Sequence, residues 1–415
     1  MTAINPVSRK TIGMVLAGGK GERLSPLTLS RPKPGVAFGG KYKIIDFVLS
    51  NFFNSNIKNV YILTQYKSYQ LNKHIRDSWD KWTGWDEHFE AISPETNSEG
   101  EEWFKGTADA ISHYLRFVED SDADYVAVFG GDHIYKMDIR QMIDFHSARQ
   151  ADITIASLEV PQAEARRFGV FSVDEQGRVL EFAEKPAQPQ CIPGRDTCFA
   201  SMGNYIFSRQ KLIQVIKEGK KRYADLDFGK HVIPMMLAQG GAVYAYNFKE
   251  NQIPDMTPEE KGYWKDVGTL DSYYEANMDL VAVSPQLNLY NYRWPILTKP
   301  SNLPPAKTVF DDDDRRGQCF DSYVCGGCVI SGGTVRRSVL GQRCRINSYS
   351  LVEDAILLEG VVIGRGARVR RAIIDEGVQI EDGAIIGYDH EADARAGYTI
   401  TPSGIVVVSN SRRGG

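Results

Sequence analysis

Between residues 11 and 283 the chain alternates short apolar runs with longer amphipathic stretches. TIGMVLA (11–17), NVYILTQY (59–66), YVAVFGGD (125–132) and ADITIASLEV (151–160) are rich in β-branched residues and read as buried strands. The stretches IIDFVLSNFFNSN (44–56), SYQLNKHIRDSWDKW (68–82), TADAISHYLRFVED (107–120) and IRQMIDFHSARQ (139–150) read as helices. Strand and helix in alternation predict an α/β domain built on a mostly parallel, Rossmann-like sheet, wound right-handed. Ligands of such sheets sit beyond the carboxyl ends of the strands, so residues directly after strands matter most.

The pattern then changes twice. Residues 284–305, SPQLNLYNYRWPILTKPSNLPP, are dense in proline and asparagine, which disfavours helix and central strand and predicts a linker. The run DDDDRR (311–316) reads as a solvated loop rather than a metal site. From 306 to 415 aliphatic residues recur every six positions, at Leu351, Leu357, Ile363 and Val369. A second series follows one residue out of phase, at Ile374, Ile380 and Ile386. A six-residue period predicts a parallel β-helix, whose coils point one apolar residue inward per face and must stack to bury it. Assembly or regulation is the expected role of this domain, not a second active site.

Composition narrows the class. A chain of 415 residues, 42% hydrophobic and 25% charged, has room for two or three ordinary globular domains. Its net charge of −4 argues against a nucleic-acid backbone as main partner. No apolar run is long enough to span a bilayer, and MTAINPVSRK (1–10) does not read as a secretory leader. Six cysteines make no disulfide framework, and Cys325 and Cys328 lack a second pair at zinc spacing, so free thiols in a reducing cytoplasm are expected.

The motifs after strands carry the chemistry. In MVLAGGKGERLSPLT (14–28), Gly18, Gly19 and Gly21 allow backbone N–H groups close to phosphates and a purine edge, and Arg23 can fork onto phosphate oxygens. The Gly-Lys-Ser/Thr ending of a P-loop is missing. In RPKPGVAFGGK (31–41), Lys33 stands between two prolines as a pre-placed cation for a leaving pyrophosphate. In EEWFKGTADAI (101–111), Gly106 and Thr107 precede a helix that Thr107 could cap. Trp103 and Phe104 there are adenine-pocket candidates or ordinary core aromatics. YVAVFGGDHIY (125–135) delivers Asp132 through two glycines, and WKDVGT (264–269) supplies Asp266; the two are candidate ligands of a divalent cation over a phosphate. Glu184 and Lys185 in FAEKPA, Ser201 in SMGNYIF and Asp227 in DLDFGKHVIP are candidates for a sugar phosphate, although each alone reads as a surface polar residue.

Taken in order, LAGGKGERLSPLT, RPKP, WFKGTADA, GGDHIYKMD, FAEKPA, SMGNYIF, DFGK and YWKDVGT resemble the glucose-1-phosphate adenylyltransferase family, and the likeness runs on through PPAK into the tail. The resemblance implies a nucleotidyltransferase domain over 11–283, a linker over 284–305 and a left-handed parallel β-helix over 306–415. It implies that Arg23, Lys33 and Asp132 are catalytic and that Asp132 and Asp266 hold Mg2+. Gln65 and Gly106 would contact the adenine nucleotide together with the glycine loop, Trp103 and Thr107. Glu184, Lys185, Ser201 and Asp227 would bind glucose 1-phosphate.

The implied reaction joins ATP and glucose 1-phosphate to give ADP-glucose and pyrophosphate, committing glucose to glycogen. The implied mechanism is in-line attack on the α-phosphorus of ATP, with no covalent enzyme intermediate. A cytoplasmic homotetramer answering to small-molecule effectors is expected. Phe104 stands where the family pattern has tyrosine, and Ser30 where one branch has an activator-binding lysine. Arg370 and Arg371 are candidates for an effector anion or plain solubility residues. Two other readings remain open here: a nucleotidylyltransferase for another base or sugar, and a non-catalytic regulatory subunit.

Overall fold

The computed structural model describes residues 10–84, 87–94, 96–97, 100–101 and 103–410. The expectations about a leader in the first nine residues, Glu102 of the EEWFKGTADAI stretch and the tail beyond 410 lie outside the described residues.

The strands of three or more residues in the first domain are β1 (Thr11–Ala17), β2 (Asn59–Thr64), β3 (His88–Ile92), β4 (Tyr125–Gly130), β5 (His133–Tyr135), β6 (Ile153–Pro161), β7 (Gly169–Val173), β8 (Val179–Glu184), β9 (Thr197–Ser208), β10 (Val243–Asn247) and β11 (Trp264–Asp266). β3, β2, β1 and β4 lie side by side and all parallel, as the alternating pattern predicted. The long β9 then runs antiparallel to β4 and to β6, and β7 and β8 form an antiparallel hairpin alongside it. The sheet is therefore mixed.

Both faces of the parallel half are buried, which is why its strands read as continuous apolar runs. Met14, Val126 and Val128 pack on one side, with the helices α3 (Thr107–His113) and α5 (Arg209–Arg222). Val15, Ala127 and Phe129 pack on the other, against α1 (Ile44–Asn54), α2 (Ser68–Trp79) and α4 (Ile139–Ala148). The predicted single helix over 107–120 is two. It breaks at Tyr114 (φ −116°, ψ 22°), and a second helix runs Leu115–Glu119.

The C-terminal domain is the left-handed parallel β-helix expected, with three parallel sheets. From Thr334 to Ile386 each coil takes 17 residues, the step from Val352 to Val369 and from Ile363 to Ile380, whereas the coil before it takes 16, as from Ile330 to Ile346. Three faces over 17 residues force one short step per coil, and that step is the phase slip seen in the sequence. The inward columns are Ile346, Ile363 and Ile380; Val335, Val352, Val369 and Ile386; and Leu340, Leu357, Ile374 and Val408. The expectation for Leu351 is corrected here. It aligns with Thr334 and Arg368 on the outer face, and Val352 takes the buried place. Cys328 donates its thiol hydrogen to the Gly341 carbonyl inside this core. The DDDDRR run is a hairpin in which Asp311 pairs with Arg316 and Asp312 with Arg315.

The two domains share a core. Ile44, Phe47, Tyr273 and Tyr274 pack with Val339, Ile356, Ile373 and Val407 of the β-helix. Tyr274 sits in the helix α6 (Leu270–Asp279) and donates its hydroxyl to the Asp354 carbonyl. Among the described residues, no helix is long and apolar enough to cross a membrane.

Candidate active site

A cleft of about 790 Å³ opens beyond the carboxyl ends of β1 and β4. It is lined by Gly18, Gly19, Gly21, Arg23, Lys33, Gln65, Gly106, Thr107, Asp132, Glu184, Lys185, Ser201, Asp227 and Asp266. These side chains come from segments more than 200 positions apart, and the fold brings them to one place. Trp103 does not line the cleft; its side lies in solvent, 41% exposed, and Phe104 faces the cavity instead.

The glycine loop is shaped by its backbone. Gly21 is left-handed (φ +65°), and a Cβ there would press on the Lys33 side chain at 2.7 Å. The Thr28 hydroxyl closes the loop onto the Gly21 carbonyl at 3.0 Å. Arg23 sits in the short turn that follows, with 63% of its side chain exposed and its Nη2 3.9 Å from Asp266.

Asp132 and Asp266 meet because their strands pair. The amide of Gly131 donates to the Leu16 carbonyl (2.9 Å), tying the end of β4 to β1. β5 then runs antiparallel to β11, placing His133 opposite Asp266. Lys33 bridges the two carboxylates, its Nζ 3.0 Å from Asp132 Oδ2 and 2.7 Å from Asp266 Oδ1. Burial disfavours the Lys33 charge, but the two aspartates outweigh it and hold the ammonium above its ordinary pKa. Burial likewise opposes the Asp132 charge, yet Lys33 and His133 draw that carboxyl down to about 2. Asp132 is therefore ionised at neutral pH, and 37% of its side chain stays open to the cleft.

On the opposite wall, Glu184 and Lys185 form an ion pair at 3.2 Å, with the lysine mostly exposed. Gly229 gives Glu184 its room, since a Cβ there would strike the carboxylate. The Ser201 hydroxyl accepts from the Gly203 amide (3.1 Å). Thr107 is not the helix cap expected: Gly106 holds the cap position, and no side chain caps α3. The Thr107 hydroxyl donates instead to Asp227 at 2.8 Å, and Asp227 accepts from the Lys230 amide at 3.0 Å. This bond ties α3 to the segment that carries Asp227. Gln65 Oε1 accepts from the Phe104 amide (2.9 Å), fixing the aromatic segment.

Other cleft residues escaped the sequence reading. His133 and Trp264 pack at 4.8 Å between ring centres, tilted by 57°, beside the aspartates. Both lie in motifs that were noted for the neighbouring aspartate alone. Arg167, Phe168 and Gly169 line the cleft beside Lys185 and were not singled out at all.

A cradle of glycine amides, fixed cations and two convergent carboxylates suits a triphosphate and a phosphate ester held side by side. Comparison with known proteins agrees. The family model described as nucleotidyl transferase matches residues 12–282, and one described as GlmU-like, C-terminal hexapeptide matches 304–408. A glucose-1-phosphate adenylyltransferase of Geobacter metallireducens is 72% identical over 96% of this chain and 97% of its own length. That of Thermus thermophilus is 50% identical over 98% and 100%, and that of Deinococcus radiodurans 47% over 96% and 98%.

Proposed function

The chain belongs to the nucleotidyl transferase family and, within it, to the glucose-1-phosphate adenylyltransferases, and from this premise we propose how its cleft works. The protein is an enzyme that transfers AMP from ATP to glucose 1-phosphate, giving ADP-glucose and pyrophosphate for glycogen synthesis. Gly18, Gly19 and Gly21 receive the triphosphate on backbone amides, and Gln65, Gly106 and Thr107 border the adenine. Phe104, rather than Trp103, offers the base an apolar face; the cavity-facing ring supports this.

Arg23 and Lys33 hold the phosphates and stabilise the charge that grows on the leaving pyrophosphate. Lys185, with Glu184, Ser201 and Asp227, holds glucose 1-phosphate so that its phosphate oxygen faces the α-phosphorus in line. Asp132 and Asp266 would hold Mg2+, which when bound screens the triphosphate charge. Two carboxylates sharing one ammonium, both reached from the cleft, fit an ion that takes one or two carboxylates and fills its shell with phosphate oxygens and water. No protein cage of three such ligands is required, and none occurs among the described residues.

We assign catalysis to 11–283, a linker to 284–305 and assembly and regulation to 306–415. A cytoplasmic homotetramer responsive to small effectors is the working form proposed. The exposed Phe320, Tyr349 and Ile385 on the outside of the β-helix support its role in assembly.

The observation that carries the mechanism is Lys33 standing between Asp132 and Asp266 at the mouth of the glycine loop. Pyrophosphate release should be measured for four nucleoside triphosphates against several sugar phosphates in Mg2+. ATP with glucose 1-phosphate should exceed every other pair. No release from any pair would make the chain a non-catalytic subunit, and preference for another base would reassign its substrate.

A further inference from the structure

Six basic side chains line the cleft: Lys20, Arg23, Lys33, Lys105, Arg167 and Lys185. Four stand within 4 Å of a carboxylate, namely Lys20 of Glu22, Arg23 and Lys33 of Asp266, and Lys185 of Glu184. Arg167 and Lys105 have no ion-pair partner among the described residues. Lys105 adjoins Phe104 on the nucleotide wall, whereas Arg167 lies on the sugar wall.

The place of Arg167 is set by its neighbours. Its amide donates to the Glu164 carbonyl at 3.1 Å, closing a turn just before β7. Gly169 of β7 pairs with Glu184 of β8, and the Lys185 amide donates to the Phe168 carbonyl at 3.0 Å. Phe168 packs edge-on to Trp264 at 5.5 Å. The backbone that carries Arg167 is therefore pinned beside Lys185, while its side chain is exposed at the cleft.

Glucose 1-phosphate brings a phosphate monoester, close to a dianion at neutral pH. Lys185 meets it with a charge already shared with Glu184. A guanidinium adds the uncompensated positive charge and a planar fork that matches two phosphate oxygens. We propose that Arg167 is a second phosphate-binding residue for glucose 1-phosphate, gripping the monoester beside Lys185. This rests on the functional reading above.

The test is steady-state pyrophosphate release by the full chain, titrating glucose 1-phosphate at saturating ATP and Mg2+, for wild type, Arg167→Ala and Arg167→Lys. Loss of a hydrogen-bonded charge contact predicts a rise in KM for glucose 1-phosphate of about 10- to 100-fold in Arg167→Ala. KM for ATP should stay within about twofold, and Arg167→Lys should recover part of the loss, as a point charge does where a fork is preferred. A KM for glucose 1-phosphate unchanged within about twofold, or an equal rise for both substrates, overturns the proposal. Calorimetric binding of glucose 1-phosphate alone to wild type and Arg167→Ala separates the two readings. Weaker binding to the variant supports the arginine's role even if turnover fails, and equal binding overturns it.

Discussion

Arg31 and Asp375 lie 344 positions apart in the chain and 2.6 Å apart in space, a guanidinium of the Lys33 loop seated on a carboxylate of the β-helix. Arg31 Nη1 also reaches Glu376 at 2.7 Å, and Lys43 meets the same Glu376 oxygen at 2.7 Å. Arg31 and Asp375 are both almost wholly buried. Burial pushes the Asp375 carboxyl up against the pull of Arg31, whereas Lys43 and Arg31 overcome burial at Glu376 and hold it low. Only Pro32, with its fixed φ, separates Arg31 from Lys33, so this clamp sets where the Lys33 backbone lies.

Asp375→Asn should therefore cost both stability and rate. Removing one partner of a buried pair leaves a charge poorly compensated, and roughly 3 kcal/mol is expected with Glu376 still in place. Thermal unfolding of the variant, with its pyrophosphate release at a permissive temperature, checks both. A variant as stable and as active as wild type would mean that the β-helix does not position Lys33.

The 17-residue coil makes a sharper contrast at two neighbouring columns. Ile363 is fully buried between Ile346 and Ile380, so Ile363→Ala should destabilise by about 2–5 kcal/mol. Leu351, on the outer face beside Thr334 and Arg368, should lose less than about 1 kcal/mol on the same change. Urea unfolding of the two variants distinguishes this register from one in which Leu351 points inward.

His146 gives the pH dependence. It is buried, and desolvation lowers its pKa from 6.5 to about 4, only weakly opposed by Asp152. Ser208 Oγ donates to the Ala151 carbonyl, so it accepts from His146 Nε2 (3.1 Å), and Nδ1 accepts from the Thr154 hydroxyl (2.9 Å). The neutral ring is thus satisfied and the charged one is not. Because the folded pKa is the lower, the unfolded chain binds the proton first as pH falls. Stability from this site is complete above about pH 6.5 and lost between there and pH 4, on the order of 3 kcal/mol. His146→Gln should flatten that part of the stability–pH curve, and an unchanged slope would assign the loss to other groups.

Where a residue's surroundings are local, the sequence was readable. TIGMVLA is a strand from Thr11 to Ala17 because every position faces a covered side of the sheet. Asp132 and Asp266 could be paired on paper because each follows an apolar strand or a tryptophan and precedes or follows glycine. Contacts made by strand direction were not legible. The antiparallel course of β9, the Thr107–Asp227 bond and the Arg31–Asp375 clamp all depend on partners far away in the chain. Trp103 and Phe104 show the same limit. Two adjacent aromatics look alike until Gln65 grips the Phe104 amide and settles which ring turns inward. The slip between Val369 and Ile374 was visible as a pattern, but its cause needed three faces sharing 17 residues.

The central claim is that Asp132, Asp266 and Lys33 act as one charge-balancing unit on the triphosphate. The most direct measurement is kcat for ADP-glucose formation by Asp132→Asn across a Mg2+ titration, beside wild type and with unfolding monitored. A fall of about 10²- to 10³-fold in kcat, with a higher Mg2+ requirement and an intact fold, is the predicted result. Turnover within about threefold of wild type at the same Mg2+ would contradict it.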